Sequence, residues 1–172
     1  MTVKRLFEEQ FNSLGDIEKE HLLKVFKAFE DEMSFPEISG IYTLLPHLKK
    51  SKIKLGLVTS SDLGKLTRVI EQKKYDLYFD VMITANNVIN GKPAPDCYLK
   101  GADKLEVNPE NCLVFEDSFA GISAAKSAGM VVVGVSSSHS KLELLSECEN
   151  VIVDFQRIKL QDIVNFYDSA KL

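Results

Sequence analysis

Five short apolar runs, at residues 53–58, 81–84, 112–115, 131–135 and 151–153, recur through the later two thirds of the chain, each bounded by polar or turn-forming residues. Their branched side chains, clearest in Val131-Val132-Val133, suit strands buried on both faces. Between them, residues 62–73, 96–104, 119–128 and 141–147 carry apolar positions at helical spacing. This alternation admits few topologies: parallel neighbours need crossovers, and right-handed crossover helices cover both faces of the sheet. The expected fold class is α/β, a doubly wound, Rossmann-like parallel sheet.

The first fifty residues have a different texture. Leu6, Phe7, Phe11 and Leu14, then Leu22, Leu23, Val25, Phe26 and Phe29, recur at helix spacing with charges between them. Phe35-Pro36 and Gly40 interrupt the pattern and mark a junction, after which residues 41–50 read as one more helix. No internal repeat is visible.

With 172 residues, the chain has room for one well-buried domain and a small appendage. The formal charge of −4 is spread along the sequence without a basic stripe, which argues against a nucleic-acid partner. Cys97, Cys112 and Cys148 are odd in number and far apart, in neither disulfide nor zinc spacing, and suit reduced thiols in a cytoplasmic protein. No stretch approaches the ~20 apolar residues of a membrane span, so no membrane partner is expected.

In sheets of this kind, ligands gather at the carboxyl ends of strands, where helix N-termini present free N–H groups. The first run exits into Thr59-Ser60-Ser61-Asp62, a hydroxyl-rich helix start that serves either as an anion site or simply as an N-cap. The second exits toward Gly91-Lys92-Pro93-Ala94-Pro95, where two prolines stiffen the loop carrying Lys92. Lys92 is a surface lysine in a turn or a held point charge for a phosphate. The third exits into Glu116-Asp117-Ser118. Adjacent carboxylates at a strand end are costly unless donors or a cation compensate them, and hard oxygen ligands suit Mg²⁺; capping by Asp117 or Ser118 is the plainer alternative. Asp154, closing the fifth run, reads as a turn residue. None of His21, His47 and His139 has a recognisable catalytic partner.

Taken together, strand-Thr59-Ser60, Gly91-Lys92-Pro93-Ala94-Pro95-Asp96 and Val114-Phe115-Glu116-Asp117-Ser118-Phe119-Ala120-Gly121-Ile122 resemble motifs II, III and IV of the haloacid dehalogenase-like phosphatases, in the β-phosphoglucomutase and sugar-phosphatase branch. The resemblance covers residues 35–155. It implies that Thr59, with Ser60, and Lys92 hold a phosphoryl group, and that Glu116 and Asp117 hold Mg²⁺ directly or through water. It further implies residues 1–34 as a partial helical cap, and residues 35–172 as a core without its first strand.

That family's defining Asp-x-Asp, nucleophile and acid–base in one strand, occurs nowhere in this sequence. In the family that strand lies between those here at 53–58 and 112–115, so two inner edges are expected to face each other unpaired. The first expectation for function is therefore a Mg²⁺-dependent phosphatase or phosphomutase of small phosphorylated metabolites of the sugar-phosphate class, inactive as this chain without the nucleophile. A non-catalytic remnant that binds phosphate or a partner, including a complementing strand from another chain, is the alternative. A phospho-receiver domain shares the residue types, but its acidic cluster precedes the hydroxyl and lysine in sequence.

Overall fold

The structure, a computed structural model, describes residues 10–171, without the side chains of Glu30 and Asp31. Leu6 and Phe7 therefore lie outside the described residues. Helix α1 (Asp16–Glu32) begins with Asp16 and Glu18 in its first turn, where acidic groups favour the helix dipole. Its apolar positions find little cover, and Ile17, Val25 and Phe29 stay exposed.

Gly40 turns the chain into α2 (Ile41–Lys50) with φ of 87°. A side chain there would be strained, and its Cβ would stand 2.3 Å from the backbone N of Gln156. The close approach is fixed by the Phe155 N–H, which donates to the Ser39 carbonyl at 2.8 Å. The core then follows as β1 (Gly56–Val58), α3 (Leu63–Lys73), β2 (Val81–Ile83), α4 (Asp96–Leu105), β3 (Leu113–Glu116), α5 (Phe119–Ser127), β4 (Val131–Val135), α6 (Lys141–Leu144), β5 (Asn150–Ile152) and α7 (Leu160–Ser169).

All strand pairing is parallel, but the sheet is divided. β1 pairs with β2, and β3, β4 and β5 pair in that order, with no ladder joining β1 to β3 among the described residues. Alternate residues on the strands feed opposite cores. Val114 and Val132 join Tyr98 and Ala102 of α4 and Ala124 and Ala125 of α5. Leu113, Phe115, Val133 and Val135 join Leu44 and Leu48 of α2 and Ile163 and Phe166 of α7. Helices thus cover both faces, as expected of parallel strands.

Several boundaries differ from expectation. The run at 53–58 is a strand only from Gly56, because the Leu55 carbonyl accepts from Asp80 N and Val81 N in a turn-like pattern before the ladder begins. Helix α6 ends at Leu144, after which the chain turns with Cys148 N donating to the Leu144 carbonyl. Helix α7 was not anticipated, although Leu160, Ile163, Val164 and Tyr167 follow helical spacing. All three cysteines are free thiols, and no described helix is long and apolar enough to cross a membrane.

Candidate functional site

At the exit of β1, the Thr59 N–H donates to the Ile83 carbonyl at 2.9 Å, extending the ladder by one residue, while Thr59 Oγ1 accepts from the Ser61 N–H at 3.0 Å. Asp62 caps α3, accepting from Lys65 N at 2.8 Å, and Asn86 Oδ1 accepts from Leu63 N at 2.9 Å. Capping therefore rests on Asp62, leaving Ser60 exposed and, among the described residues, without a hydrogen-bond partner.

The stiff loop before α4 brings Lys92 inward. Its ammonium is 2.5 Å from Glu116 Oε1 and 4.9 Å from the centre of the Tyr98 ring. The lysine and glutamate side chains are 9% and 7% exposed, so this is a buried ion pair. One of the three ammonium donors is used on Glu116, leaving two for another acceptor.

Glu116, the last residue of β3, is held from all sides. Oε1 accepts from Lys92 and from the Tyr98 hydroxyl at 3.1 Å; Oε2 accepts from Asp117 N at 2.6 Å and Ser118 N at 3.1 Å. The Ser118 hydroxyl also donates toward the carboxylate, 3.3 Å from Oε2 and 3.5 Å from Oε1, so five donors crowd its four acceptor sites. Burial, then the Glu116 charge beside it, pushes the Tyr98 phenol far above its ordinary range, which keeps it a donor. Gly121 in α5 leaves the space that Glu116 occupies, since a Cβ at 121 would overlap the carboxylate.

Asp117 is held separately. Its Oδ2 accepts from the hydroxyls of Ser137, at 3.0 Å, and Ser138. Burial alone would raise its pKa, but the Ser138 and Ser137 hydroxyls lower it below the ordinary carboxylate value. No hydrogen bond to Oδ1 is present among the described residues. Asp117 thus keeps one ionised oxygen available where Glu116 keeps none.

Thr59, Ser60, Lys92, Glu116 and Asp117 line one cavity of about 980 Å³, with the carboxyl ends of β1 and β3 on opposite sides. Sequence reasoning assembled these five residues but not their supports. Tyr98, Ser137 and Ser138 went unnoticed, although Ser136-Ser137-Ser138 stands at the exit of β4 and the same strand-exit rule would have found it. Asp154 is a turn residue, accepting from Gln156 N at 2.9 Å. The His139 ring lies tilted against that of Phe119, centroids 4.3 Å apart. Among the described residues no three His, Cys, Asp or Glu side chains cluster as a cation cage.

The profile of the haloacid dehalogenase-like hydrolases matches residues 1–135. The chain belongs to that family. This haloacid dehalogenase-like chain is 37% identical over 130 residues to a phosphorylated carbohydrates phosphatase of Thermotoga maritima, covering 75% of itself and 58% of that protein. It is 40% identical over 98 residues to the β-phosphoglucomutase of Bacillus subtilis, covering 57% of itself and 42% of the relative. The chain thus spans about three fifths or less of these relatives.

Among solved structures, a family IA, variant 3 hydrolase of Entamoeba histolytica superposes with a TM-score of 0.83 at 30% identity, over 97% of this chain and 79% of that one. A β-phosphoglucomutase of Clostridium difficile gives 0.78 at 30% identity, over 98% and 77%. The α/β architecture with parallel strands is common to them.

Proposed function

We propose that this chain carries the phosphate- and cation-binding half of a phosphatase or phosphomutase site for small phosphorylated metabolites, of the sugar-phosphate class. One observation carries the reading: Lys92, with two donors to spare, and Asp117, with one ionised oxygen to spare, line the same cavity as the Thr59 and Ser60 hydroxyls. The printed activities of the Thermotoga and Bacillus relatives support the substrate class.

In this reading Thr59, Ser60 and Lys92 take the phosphoryl oxygens, as hydroxyl donors and a point charge. The donor set fits Mg²⁺ through Asp117, since that ion takes few protein carboxylates and keeps waters or phosphate oxygens. Bound there, Mg²⁺ would neutralise charge on the phosphoryl group. Glu116, whose acceptor sites are filled, does not fit as a direct ligand in this arrangement; it holds Lys92 in place. Mg²⁺ was expected at both carboxylates, and the geometry favours Asp117 for direct contact.

Phosphoryl transfer needs a nucleophile in line with the leaving oxygen. No Asp-x-Asp occurs in the 172 residues, so the chain is expected to bind phosphate without releasing it from a substrate. Residues 1–34, which include α1, are assigned to a partial helical cap, with residues 35–172 as the core without its first strand.

Phosphate release from a panel of sugar phosphates with Mg²⁺ tests the reading. No turnover by this chain, and turnover once a strand bearing Asp-x-Asp is supplied, is expected; inactivity of both sinks it. A phosphate-binding remnant, the second reading, is favoured by the divided sheet and is separated by calorimetry: binding of phosphate without restorable turnover identifies it.

A further inference from the structure

Ser137 and Ser138 stand on the surface beyond the end of β4, yet both hydroxyls are spent on one oxygen of Asp117. Several contacts fix the loop that carries them. The Ser136 N–H donates to the Ile152 carbonyl at 2.9 Å and the Ser137 N–H to the Val135 carbonyl at 2.8 Å, which ties the start of the loop to β4 and β5. Beyond the pair, the His139 ring lies against Phe119, and Ser140 caps α6, its hydroxyl accepting from Glu143 N at 3.3 Å and its N–H donating to Glu143 Oε2 at 2.9 Å. The two hydroxyl donors are thus held in place from both ends of the loop.

The consequence lies in how many oxygens Asp117 can offer. A carboxylate oxygen has about two acceptor sites, and those of Oδ2 are taken by the two hydroxyls. Oδ1 has no hydrogen bond among the described residues, and Asp117 lines the cavity that Lys92 and Thr59 also line. A cation gripping both oxygens would have to displace both serines, whereas one approaching Oδ1 alone displaces neither. Glu116 cannot make up the difference, because five donors already crowd it. The adjacent carboxylates therefore present one free oxygen between them.

That number discriminates between hard cations. Mg²⁺ is six-coordinate at about 2.0–2.1 Å, dehydrates reluctantly, and is held by few carboxylate oxygens plus waters or phosphate oxygens. Ca²⁺ takes roughly six to eight oxygens at about 2.3–2.6 Å, of which a bidentate carboxylate supplies two at once.

We infer that Ser137 and Ser138 are positioning residues that hold Asp117 to one-oxygen coordination and so set the site's preference for Mg²⁺ over Ca²⁺. This role rests on the reading of Asp117 as the direct cation contact. The preference then comes from two hydroxyls at the neighbouring strand exit that make no contact with the ion themselves.

The test compares the whole chain with two double variants, Ser137→Ala/Ser138→Ala and Ser137→Thr/Ser138→Thr. Magnesium chloride and calcium chloride are each titrated without phosphate. Binding is read from the backbone amide resonances of Asp117 and Ser118 by nuclear magnetic resonance, with thermal unfolding as the check on folding. The unaltered chain should bind Mg²⁺ more tightly than Ca²⁺. In the alanine variant, with Oδ2 freed, the ratio of the two affinities should move toward Ca²⁺ by about tenfold or more, the scale on which the supports of a metal ligand act. Its melting temperature should hardly move, since both serines are exposed. The threonine variant keeps both hydroxyls and should retain the original ratio.

A general loosening would weaken both ions alike and leave the ratio where it was. An unchanged ratio in the alanine variant therefore overturns the role of the serines while leaving Asp117 as a cation ligand. So does a threonine variant that shifts as far as the alanine one, or an unaltered chain that binds Ca²⁺ as tightly as Mg²⁺. If the double alanine variant fails to fold, the two single variants carry the same test in smaller measure. Absence of any resonance shift with either ion in the unaltered chain removes the cation reading itself, and the role of the serines with it.

Discussion

A methyl group added at Gly121 would stand 1.7 Å from Oε1 of Glu116. The glycine is therefore the mould in which the buried carboxylate is cast, and its place four residues into the turn after Asp117 is a matter of space.

Gly121→Ala tests this directly. Alanine is the better helix former by about 1 kcal/mol, so a helix effect alone would raise stability. Displacing a carboxylate fixed by five donors should outweigh that gain and leave a net loss of about 1–3 kcal/mol, the range of overpacked cores. Thermal unfolding should show a fall of several degrees, and calorimetry a weaker affinity for phosphate, because Lys92 loses its anchor. An unchanged or raised melting temperature would show that Glu116 has room to spare.

The Lys92–Glu116 pair should behave as a unit. Lys92→Met leaves a buried carboxylate short of its counter-charge, and Glu116→Gln leaves a buried ammonium, each costing about 3–5 kcal/mol in comparable buried pairs. The double variant should cost clearly less than the two single losses combined, since no buried charge is left unpaired. Denaturant unfolding of all four proteins measures the coupling, and strict additivity would refute it.

Asp80 gives the fold a dependence on pH. The Lys49 ammonium donates to its carboxyl, and the Leu55 N–H donates at 2.9 Å. The Lys49 bond first, then the backbone bond, holds its pKa below the ordinary value. A carboxyl lowered on folding contributes stability above its unfolded pKa of about 4 and loses it as pH falls through the folded value. Melting temperature measured from pH 6 down to pH 3 should fall less steeply in Asp80→Asn. The difference will be small, because the pair is exposed and screened.

Gly40 and Gly129 separate strain from collision. Both have positive φ, 87° and 77°, but a Cβ at 40 meets the backbone at Gln156 and one at 129 meets nothing within 4 Å. Gly129→Ala should cost about 1–2 kcal/mol, the penalty of a left-handed conformation. Gly40→Ala should cost about 2 kcal/mol more, since overpacking against backbone is added. Equal losses in equilibrium unfolding would mean that the 39–40 and 155–156 segments move apart easily.

The sequence was most readable where one local signal sufficed. Val131–Val135 announces a buried strand by branching alone, and Ile41–Lys50 a helix by spacing and by the glycine before it. Strand exits could be searched because parallel sheets put their chemistry there, which is how Thr59, Lys92, Glu116 and Asp117 came together. What the residues could not show was contact between distant segments. Nothing local says that Tyr98 meets Glu116, or that Ser137 and Ser138 reach back twenty positions to Asp117. Nor does spacing show how a carboxylate shares its lone pairs, which is why Glu116 and Asp117 looked equivalent on paper and differ in the fold.

The divided sheet carries a consequence for cooperativity. β3, β4 and β5, with α5 between the first two, come from one unbroken stretch of chain, and β1 and β2 with α3 from another. No main-chain ladder among the described residues crosses between them, so they can open with different free energies, as separate units of local unfolding. Thr59 belongs to one unit and Asp117 to the other. A ligand touching both would act as a clamp, and its binding energy would appear as a merging of two melting events into one.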